Sequence, residues 1–388
     1  MSDLASALGD LKGLRANSTP VPLPAPPAPV RAPQGASSEQ ASVVACPARC
    51  IRLVALAGTG KTETLAAYAR ARSRARLRYV AFNKAMAEAA IDRMPPNVTT
   101  STFHALAFSR YGASTAHKTR LSWDMDRVSS WVGRPVTSML APAALELVKG
   151  AVDRFLASAS RTLDASHVPL ENWLVWSALD PNHTVFSDPE EVAQAAVRLW
   201  RTMLDPESSC PITPDAWVKL AQLGEWVPPS DGWLIDEAQD LSPAMLAWVR
   251  IQPGLQVSAG DPHQSIYGFR TPPAWAREAP PEGEVRLHLT HSFRFGEAIA
   301  EEVNRILTRL GAAERIIGAG SAGVVAHGPP RAAATALARS QAGAWAWARR
   351  APSEGWAVAT TPRPPVRWAS VAALRRGDRA AIEDPWVL

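Results

Sequence analysis

The stretch from Leu56 to Thr62, LAGTGKT, constrains this chain more than any other, because two glycines and a Lys-Thr pair join an apolar run to a helix-forming one. Gly58 and Gly60 let the backbone curl so that successive N–H groups converge, and the following helix turns its positive end to the same point. Such a loop is built to cradle phosphates. Lys61 would reach the outer phosphates and the Thr62 hydroxyl would be a Mg2+ ligand. The strict form of the motif has a glycine where this chain has Ala55.

A second stretch, WLIDEAQD from Trp233 to Asp240, ends an apolar strand in two acids. There Asp236 would hold Mg2+ through water, and Glu237 would orient and deprotonate an attacking water. A third apolar run leads into GDPHQSIYGFR from Gly260, placing Gln264 at a strand's C-terminal edge where it can sense a γ-phosphate. Tyr267 is open to two readings, a core ring or an exposed aromatic beside the site. Phe269 next to Arg270 reads as a base-stacking platform with a positive neighbour.

Around these motifs the chain reads as an α/β fold. Arg52 to Ala57 and Leu77 to Phe82 suit strands, and Glu63 to Arg74 and Ala85 to Arg93 suit helices, the alternation of a parallel sheet covered by helices. From Ala105 to Pro229 the pattern becomes helical segments broken by Pro, with Trp123, Trp131, Trp173, Trp176, Trp200 and Trp217 interspersed. Strands return at Gly232 to Ile235 and Leu255 to Ala259, so the helical segment is an insertion into the sheet domain. A strand at Val285 to Leu289 then precedes a helix from Gly296 to Leu310. Beyond Gly318, only Val324 to Ala326 and Ala333 to Arg349 have the pattern of regular elements.

Ahead of Ser37, Leu4, Leu8, Leu11 and Leu14 stand at helical spacing, fitting either a short docking helix for a protein partner or a weakly ordered tail. The Pro-rich run from Thr19 to Pro33 suits an extended linker.

A chain of 388 residues with 47% hydrophobic content has room for two domains, or for one large domain with an insertion. Lys+Arg exceed Asp+Glu by 41 to 36, a mild basic excess that fits a polyanionic partner. Most of that positive charge is Arg, since Lys occurs only at 12, 61, 84, 118, 149 and 219. Cys46, Cys50 and Cys210 lack zinc-ligand spacing and suit buried or strand-flanking thiols in a reducing compartment. With no apolar run long enough to span a bilayer, the expected location is intracellular, cytoplasmic or nucleoid-associated, not secreted.

Six segments in order, LAGTGKT at Leu56, AFNKAM at Ala81, TFHALA at Thr102, PITPDAWVKLAQL at Pro211, GDPHQSIYGF at Gly260 and LTHSFRFGEAIA at Leu289, resemble the UvrD/Rep-like superfamily 1 DNA helicases. The resemblance is strongest to their F-box DNA helicase branch and covers roughly Ser38 to Arg349, although nothing before Ser37 looks like an F-box domain. It implies a RecA-like P-loop domain that binds ATP and Mg2+ through Ala57, Gly58, Thr59, Gly60, Lys61, Thr62 and Asp236, with Gln40 recognising adenine. It also implies that Phe82, Asn83, Lys84, Thr102 and His104 grip single-stranded DNA, with Tyr267, Phe269 and Arg270 beside them. Phe293 would stack on adenine and Arg294 would be an arginine finger from a second RecA-like domain. In the family, two such domains close on ATP and step along one strand 3′ to 5′, meeting single-stranded DNA and single/double-strand junctions in repair and recombination.

The resulting division is a tail and linker over 1–36, a first RecA-like domain over 37–104 and 230–284, a helical insertion over 105–229, a partial second RecA-like domain over 285–350 and an irregular tail over 351–388. The second domain is expected to be partial because two later family segments, T-x-H-x-[SA]-K-G-L-E and Y-V-A-x-T-R-A, need residues this chain does not supply. No Lys follows Lys219 and no Tyr follows Tyr267. Against the family pattern the chain therefore reads as C-terminally truncated. Two functions stay open: an ATP-dependent DNA helicase, or a nucleotide-responsive DNA-binding protein that has lost unwinding. An ATPase unrelated to DNA is disfavoured by the segments at Phe82 and Thr102.

Overall fold

In the computed structural model, residues 36–182, 185–265, 274–277, 280, 282–323 and 325 are described. The chain enters through α1 (Ser38–Ala45), then alternates β1 (Cys50–Ala55), α2 (Lys61–Arg70), β2 (Leu77–Ala81), α3 (Lys84–Ile91) and β3 (Val98–Thr102). A helical stretch follows: α4 (Phe103–Tyr111), α5 (Val128–Val132), α6 (Ala141–Ala157), α7 (Leu170–Leu179), α8 (Pro189–Leu204) and α9 (Asp215–Leu223). The sheet resumes with β4 (Gly232–Ile235), α10 (Pro243–Arg250), β5 (Leu255–Gly260), α11 (Ala274–Arg277) and β6 (Glu284–Leu289). Last come β7 (His291–Ser292), α12 (Glu297–Arg309) and β8 (Ile317–Gly318).

Six strands pair in parallel in the order β3-β2-β4-β5-β1-β6, while β7 and β8 form a separate two-stranded ribbon. Side chains alternate across a strand, so each strand feeds two cores. Leu53, Tyr79, Leu234 and Val257 face a core shared with Val43 of α1, Leu65 and Tyr68 of α2, and Ala87 and Ala90 of α3. Their neighbours Val54, Val80, Trp233 and Ile235 face the opposite way, into a core continuous with the helical insertion. Burial on both faces is why these strands read as nearly unbroken apolar runs.

The insertion is fastened to the sheet by aromatic packing. Trp248 of α10 is fully buried, with its ring centroid 5.6 Å from Trp233 of β4, 6.1 Å from Phe103 of α4 and 5.9 Å from Trp226. Its indole N–H donates to the Trp226 carbonyl at 2.7 Å. Deeper in the insertion Trp131, Trp176 and Trp217 are buried, and Trp123, Trp173 and Trp200 pack against them. These rings fill a helical core.

Two of the six lysines are also internal. Lys118 Nζ donates to the carbonyls of Thr202, Met203 and Asp205 at 3.0, 2.8 and 2.5 Å, closing the C-terminal end of α8. Lys219 Nζ donates to Ser158 and Ser160 carbonyls just beyond α6 and lies 4.1 Å from the Phe155 ring centroid. Carbonyl oxygens at a helix end attract a cation, so both lysines are occupied as caps and take no part in the surface charge.

Two sequence expectations change. The sequence pattern assigns no element to Val98–Thr102, yet VTTST forms edge strand β3 against β2, its small polar residues tolerated because an edge is only partly covered. The strand expected to open the second domain at Val285 belongs to the first sheet, paired with β1 from Cys50↔Glu284 to Ala55↔Leu289. Its physical anchor is an ion pair: Arg52 Nε lies 2.7 Å from Glu284 Oε2, both side chains largely buried. An Arg within an apolar strand needs such a partner, and β6 supplies it. The tail before residue 36, Val324 and the Ala333–Arg349 helix expected from sequence lie outside the described residues.

Replacing Trp248 removes the contact that joins sheet and insertion. Trp248→Ala should lower unfolding free energy by about 3–5 kcal/mol, read from urea denaturation, because a buried Trp leaves a cavity the sheet cannot collapse into.

Candidate active site

Because all six strands run parallel, every strand-to-helix turn emerges on one edge of the sheet. The phosphate loop follows β1, Asn83 follows β2, Thr102 ends β3, Asp236 follows β4 and Asp261 follows β5. Ligands bind such sheets at this C-terminal edge.

The loop has the backbone its sequence requires. Gly58 and Gly60 have φ of +75° and +82°, left-handed values that glycine adopts without a Cβ clash. Space is equally restrictive: a Cβ on Gly58 would stand 2.6 Å from Ser292 Oγ and Arg294 Cβ, and one on Gly60 would stand 2.8 Å from Gln40 Nε2. Thr59 is buried and donates its hydroxyl to the Leu56 carbonyl at 2.8 Å, closing the turn. Gly60 then caps α2 with no side chain, leaving the first N–H groups of the helix open toward the loop.

Asp236 directly follows β4 and is 1% exposed. Its Oδ2 accepts from Thr62 Oγ1 at 2.7 Å and from Tyr79 Oη at 2.7 Å, and its Oδ1 accepts from the Glu237 N–H at 2.9 Å. Burial pushes this carboxyl above its ordinary range, and the neighbouring Glu237 charge adds to it, while the hydrogen bonds from Thr62 and Tyr79 and the Lys61 charge oppose both. For Tyr79, burial and then the Asp236 charge hold the phenol far above its usual value, so it remains a donor. Lys61 Nζ stands 3.4 Å from Glu237 Oε2.

Glu237 adopts φ +51°, a left-handed conformation rare for a non-glycine residue. Such strain collects where a side chain must be aimed. Gln239 holds it from the next turn, donating Nε2 to Glu237 Oε2 at 2.7 Å and accepting the Asp261 N–H on Oε1 at 3.0 Å. Asp261 in turn accepts from Gln264 Nε2 at 2.5 Å. Gln264 is thus joined to Glu237 through Asp261 and Gln239.

Gln40 is buried beside the loop in α1. Its Oε1 accepts the Ser37 N–H at 3.0 Å in a capping box, which turns Nε2 toward the Thr59 carbonyl at 3.5 Å. From the other side, the Phe293 N–H donates to the Gly58 carbonyl at 2.9 Å, and the Phe293 ring is about half exposed. Arg294 is exposed next to it.

The candidate DNA residues sit along the same edge. Asn83 and Thr102 cap α3 and α4, accepting from Met86 N at 2.9 Å and Ala105 N at 3.1 Å. Lys84 is exposed and pairs with Glu88 at 3.5 Å, Phe82 is half-buried, and His104 Nε2 lies 2.9 Å from Asp215 Oδ1 of α9. Tyr267, Phe269 and Arg270 lie outside the described residues. Cys46, Cys50 and Cys210 are free thiols. No helix among the described residues is long and apolar enough to cross a membrane.

The structure thus brings Gln40, the loop, Asp236, Glu237, Gln264 and the Phe293–Arg294 arm into one cleft. Sequence reading passed over Tyr79, Gln239 and Asp261. Gln239 is visible within DEAQD, but nothing in a strand residue such as Tyr79 indicates that its hydroxyl meets a carboxylate from another strand.

A parallel sheet with a glycine loop after one strand and a carboxylate pair after the next strand but one defines a P-loop nucleoside-triphosphatase fold. A family model described as an AAA domain matches residues 38–270, and the chain belongs to that family, within the UvrD/Rep-like superfamily 1 group. It is similar to F-box DNA helicase protein 1 of Schizosaccharomyces pombe, 32% identical in an alignment of 308 residues that covers 72% of this chain and 33% of the relative. It is also similar to F-box DNA helicase 1 of Gallus gallus, 34% identical over 266 residues, 64% of this chain and 25% of that protein. The chain spans a third or less of the length of these curated relatives.

One acid in the site is held at a cost. Burial, then the Glu237 charge, pushes the Asp240 carboxyl up to about 6 from its ordinary 3.8. A carboxyl raised on folding binds more protons in the native state between these values, so stability falls as pH rises from about 4 to 6 and the penalty persists above. Asp240→Asn should therefore raise the melting temperature at pH 8 and leave it nearly unchanged at pH 4, as measured by calorimetry.

Proposed function

We propose that this chain is the ATP-binding and DNA-gripping part of a UvrD-type motor, which hydrolyses ATP with Mg2+ and translocates 3′ to 5′ on single-stranded DNA. The observation that carries it is the convergence of Thr62 and Asp236 at 2.7 Å with Lys61 and Glu237 at 3.4 Å, across the ends of β1 and β4.

The residues fit the nucleotide and its ion. Thr62 and Asp236 offer hard oxygen donors, the few that Mg2+ takes from protein when phosphates supply others. A bound Mg2+ would neutralise charge developing on the phosphates. Lys61, paired with Glu237, can turn to the phosphate oxygens and leave Glu237 free. Glu237 then takes a proton from the water whose oxygen attacks the terminal phosphorus as the bond to the bridging oxygen breaks. Gln239 keeps the Glu237 carboxylate oriented, and Gln264 relays the state of the site toward the segment after it. Gln40 offers its amide to the adenine edge, and Phe293 offers a ring to stack on.

DNA would lie along the adjacent strand ends, over Phe82, Asn83, Lys84, Thr102 and His104. Neutral caps and a single exposed Lys there suit a grip by polar contact and stacking, which tolerates any sequence. Single/double-strand junctions, and roles in repair and recombination, follow from the same reading. A second reading is a nucleotide-responsive DNA clamp that does not unwind.

ATP hydrolysis with and without single-stranded DNA, followed by strand displacement on a 3′-tailed duplex, separates the two. DNA-stimulated hydrolysis with displacement is the motor's result; DNA binding without either is the clamp's, and no DNA affinity sinks both. Lys61→Ala and Glu237→Gln should each reduce kcat by about 10²–10⁴-fold, the range for losing a transition-state charge or a general base.

A further inference from the structure

Adjacent residues of one helical turn reach opposite sides of the phosphate loop. Gln40 lies against Thr59 and Gly60, as described, whereas Glu39 points to the chain that leaves β6. Its Oε2 accepts the Thr290 N–H at 2.8 Å, its Oε1 accepts the Thr290 hydroxyl at 2.6 Å, and His291 Nδ1 lies 3.2 Å from Oε2. The carboxylate is 23% exposed. Three residues on from Thr290 is Phe293, whose N–H rests on the Gly58 carbonyl, and then Arg294, whose Cβ lies where a side chain on Gly58 would have to go.

The arm therefore has two attachments. One is the Gly58 carbonyl, a neutral hydrogen bond on a loop that must accommodate a ligand. The other is Glu39, an ionised acceptor with two donors from one residue, anchored on α1, which packs into the sheet's core through Val43. Charge-assisted pairs of this kind are about twice as strong as neutral ones and fix direction as well as distance. Burial pushes the Glu39 carboxyl up, but the hydrogen bonds from Thr290 and the His291 interaction outweigh it, so it sits below its ordinary value and is ionised at neutral pH.

We propose that Glu39 is a positioning residue: it latches residues 290–294 to α1 so that Phe293 and Arg294 are held over the phosphate loop. This rests on the ATPase reading for its effect on rate, though the latch itself does not. Because Gln40 is the next residue, the helix that meets the base also sets the arm that meets the outer phosphate. The two ends of the nucleotide are thereby read by one rigid turn.

The test uses the full chain and the variants Glu39→Ala, Glu39→Gln and Thr290→Val, with Ser42→Ala on the exposed side of α1 as a matched control. Amide exchange across residues 289–296 should speed up about tenfold or more in Glu39→Ala and Thr290→Val, the effect of losing a hydrogen bond to a charged group, and stay unchanged in Ser42→Ala. In single-stranded-DNA-stimulated hydrolysis, Glu39→Ala should lower kcat by about ten- to a hundred-fold while KM for ATP stays within about twofold, as a misplaced catalytic group does. Glu39→Gln keeps an acceptor and should fall between wild type and Glu39→Ala. The double variant Glu39→Ala/Thr290→Val should be no slower than Glu39→Ala alone, since Thr290→Val removes only the hydroxyl half of a contact that Glu39→Ala removes whole. Exchange in Glu39→Ala equal to that of Ser42→Ala, or a loss confined to KM, overturns the latch. Wild-type protein that hydrolyses no ATP overturns the ATPase reading, and the exchange measurement still decides the latch.

Discussion

A buried carboxylate at the end of one strand organises the site. Asp236 is almost fully enclosed, and a charge there survives only if its oxygens are occupied. Thr62 from the phosphate loop and Tyr79 from the next strand supply two donors to one oxygen, and the following N–H supplies a third to the other. That requirement ties β1, β2 and β4 together at their C-terminal ends, and the strand order makes it possible by placing β4 beside β2 and one strand from β1. An unpaired Asp236 would be costly, so a cation arriving beside Thr62 meets a carboxylate already aimed.

Everything else either supports that edge or approaches it. The two cores clamp the sheet from both faces, one through α1, α2 and α3 and the other through the insertion and Trp248. With the sheet immobilised, the loops can carry strain, seen in the left-handed Glu237 and in the burial and like charge that raise Asp240. The arm at 290–294 lies on the loop as a second layer, joined to the first by Gly58 and Glu39.

Much of the site is legible in the sequence, and the reasons are local. Gly58 and Gly60 must be glycines because both φ and space demand it, so the loop reads from composition alone. Gly232–Ile235 reads residue for residue because a fully buried strand is an unbroken apolar run with sharp polar ends. What fails is polar or shared. VTTST carries no apolar pattern, and β3 exists because β2 offers it a free edge. Val285–Leu289 looks like the start of something new, since its partner β1 lies far back in the chain and only the Arg52–Glu284 pair declares it. Gln40 could equally have been a surface residue; its burial follows from how α1 docks, not from SSEQAS.

The sequence by itself determined the phosphate loop, the acid pair, the alternation of strands and helices, and the order of six family-like segments, because each is written in residues close together along the chain. Only the tertiary structure decided which strand neighbours which, that Tyr79 and Thr62 share one oxygen of Asp236, that Gln239 bridges Glu237 to Asp261, and that Glu39 holds Thr290. Those contacts join residues separated by two to about 250 positions, as in the Glu39–Thr290 pair. Their geometry comes from strand register and helix docking, which are settled by packing in three dimensions and leave no periodic trace in one.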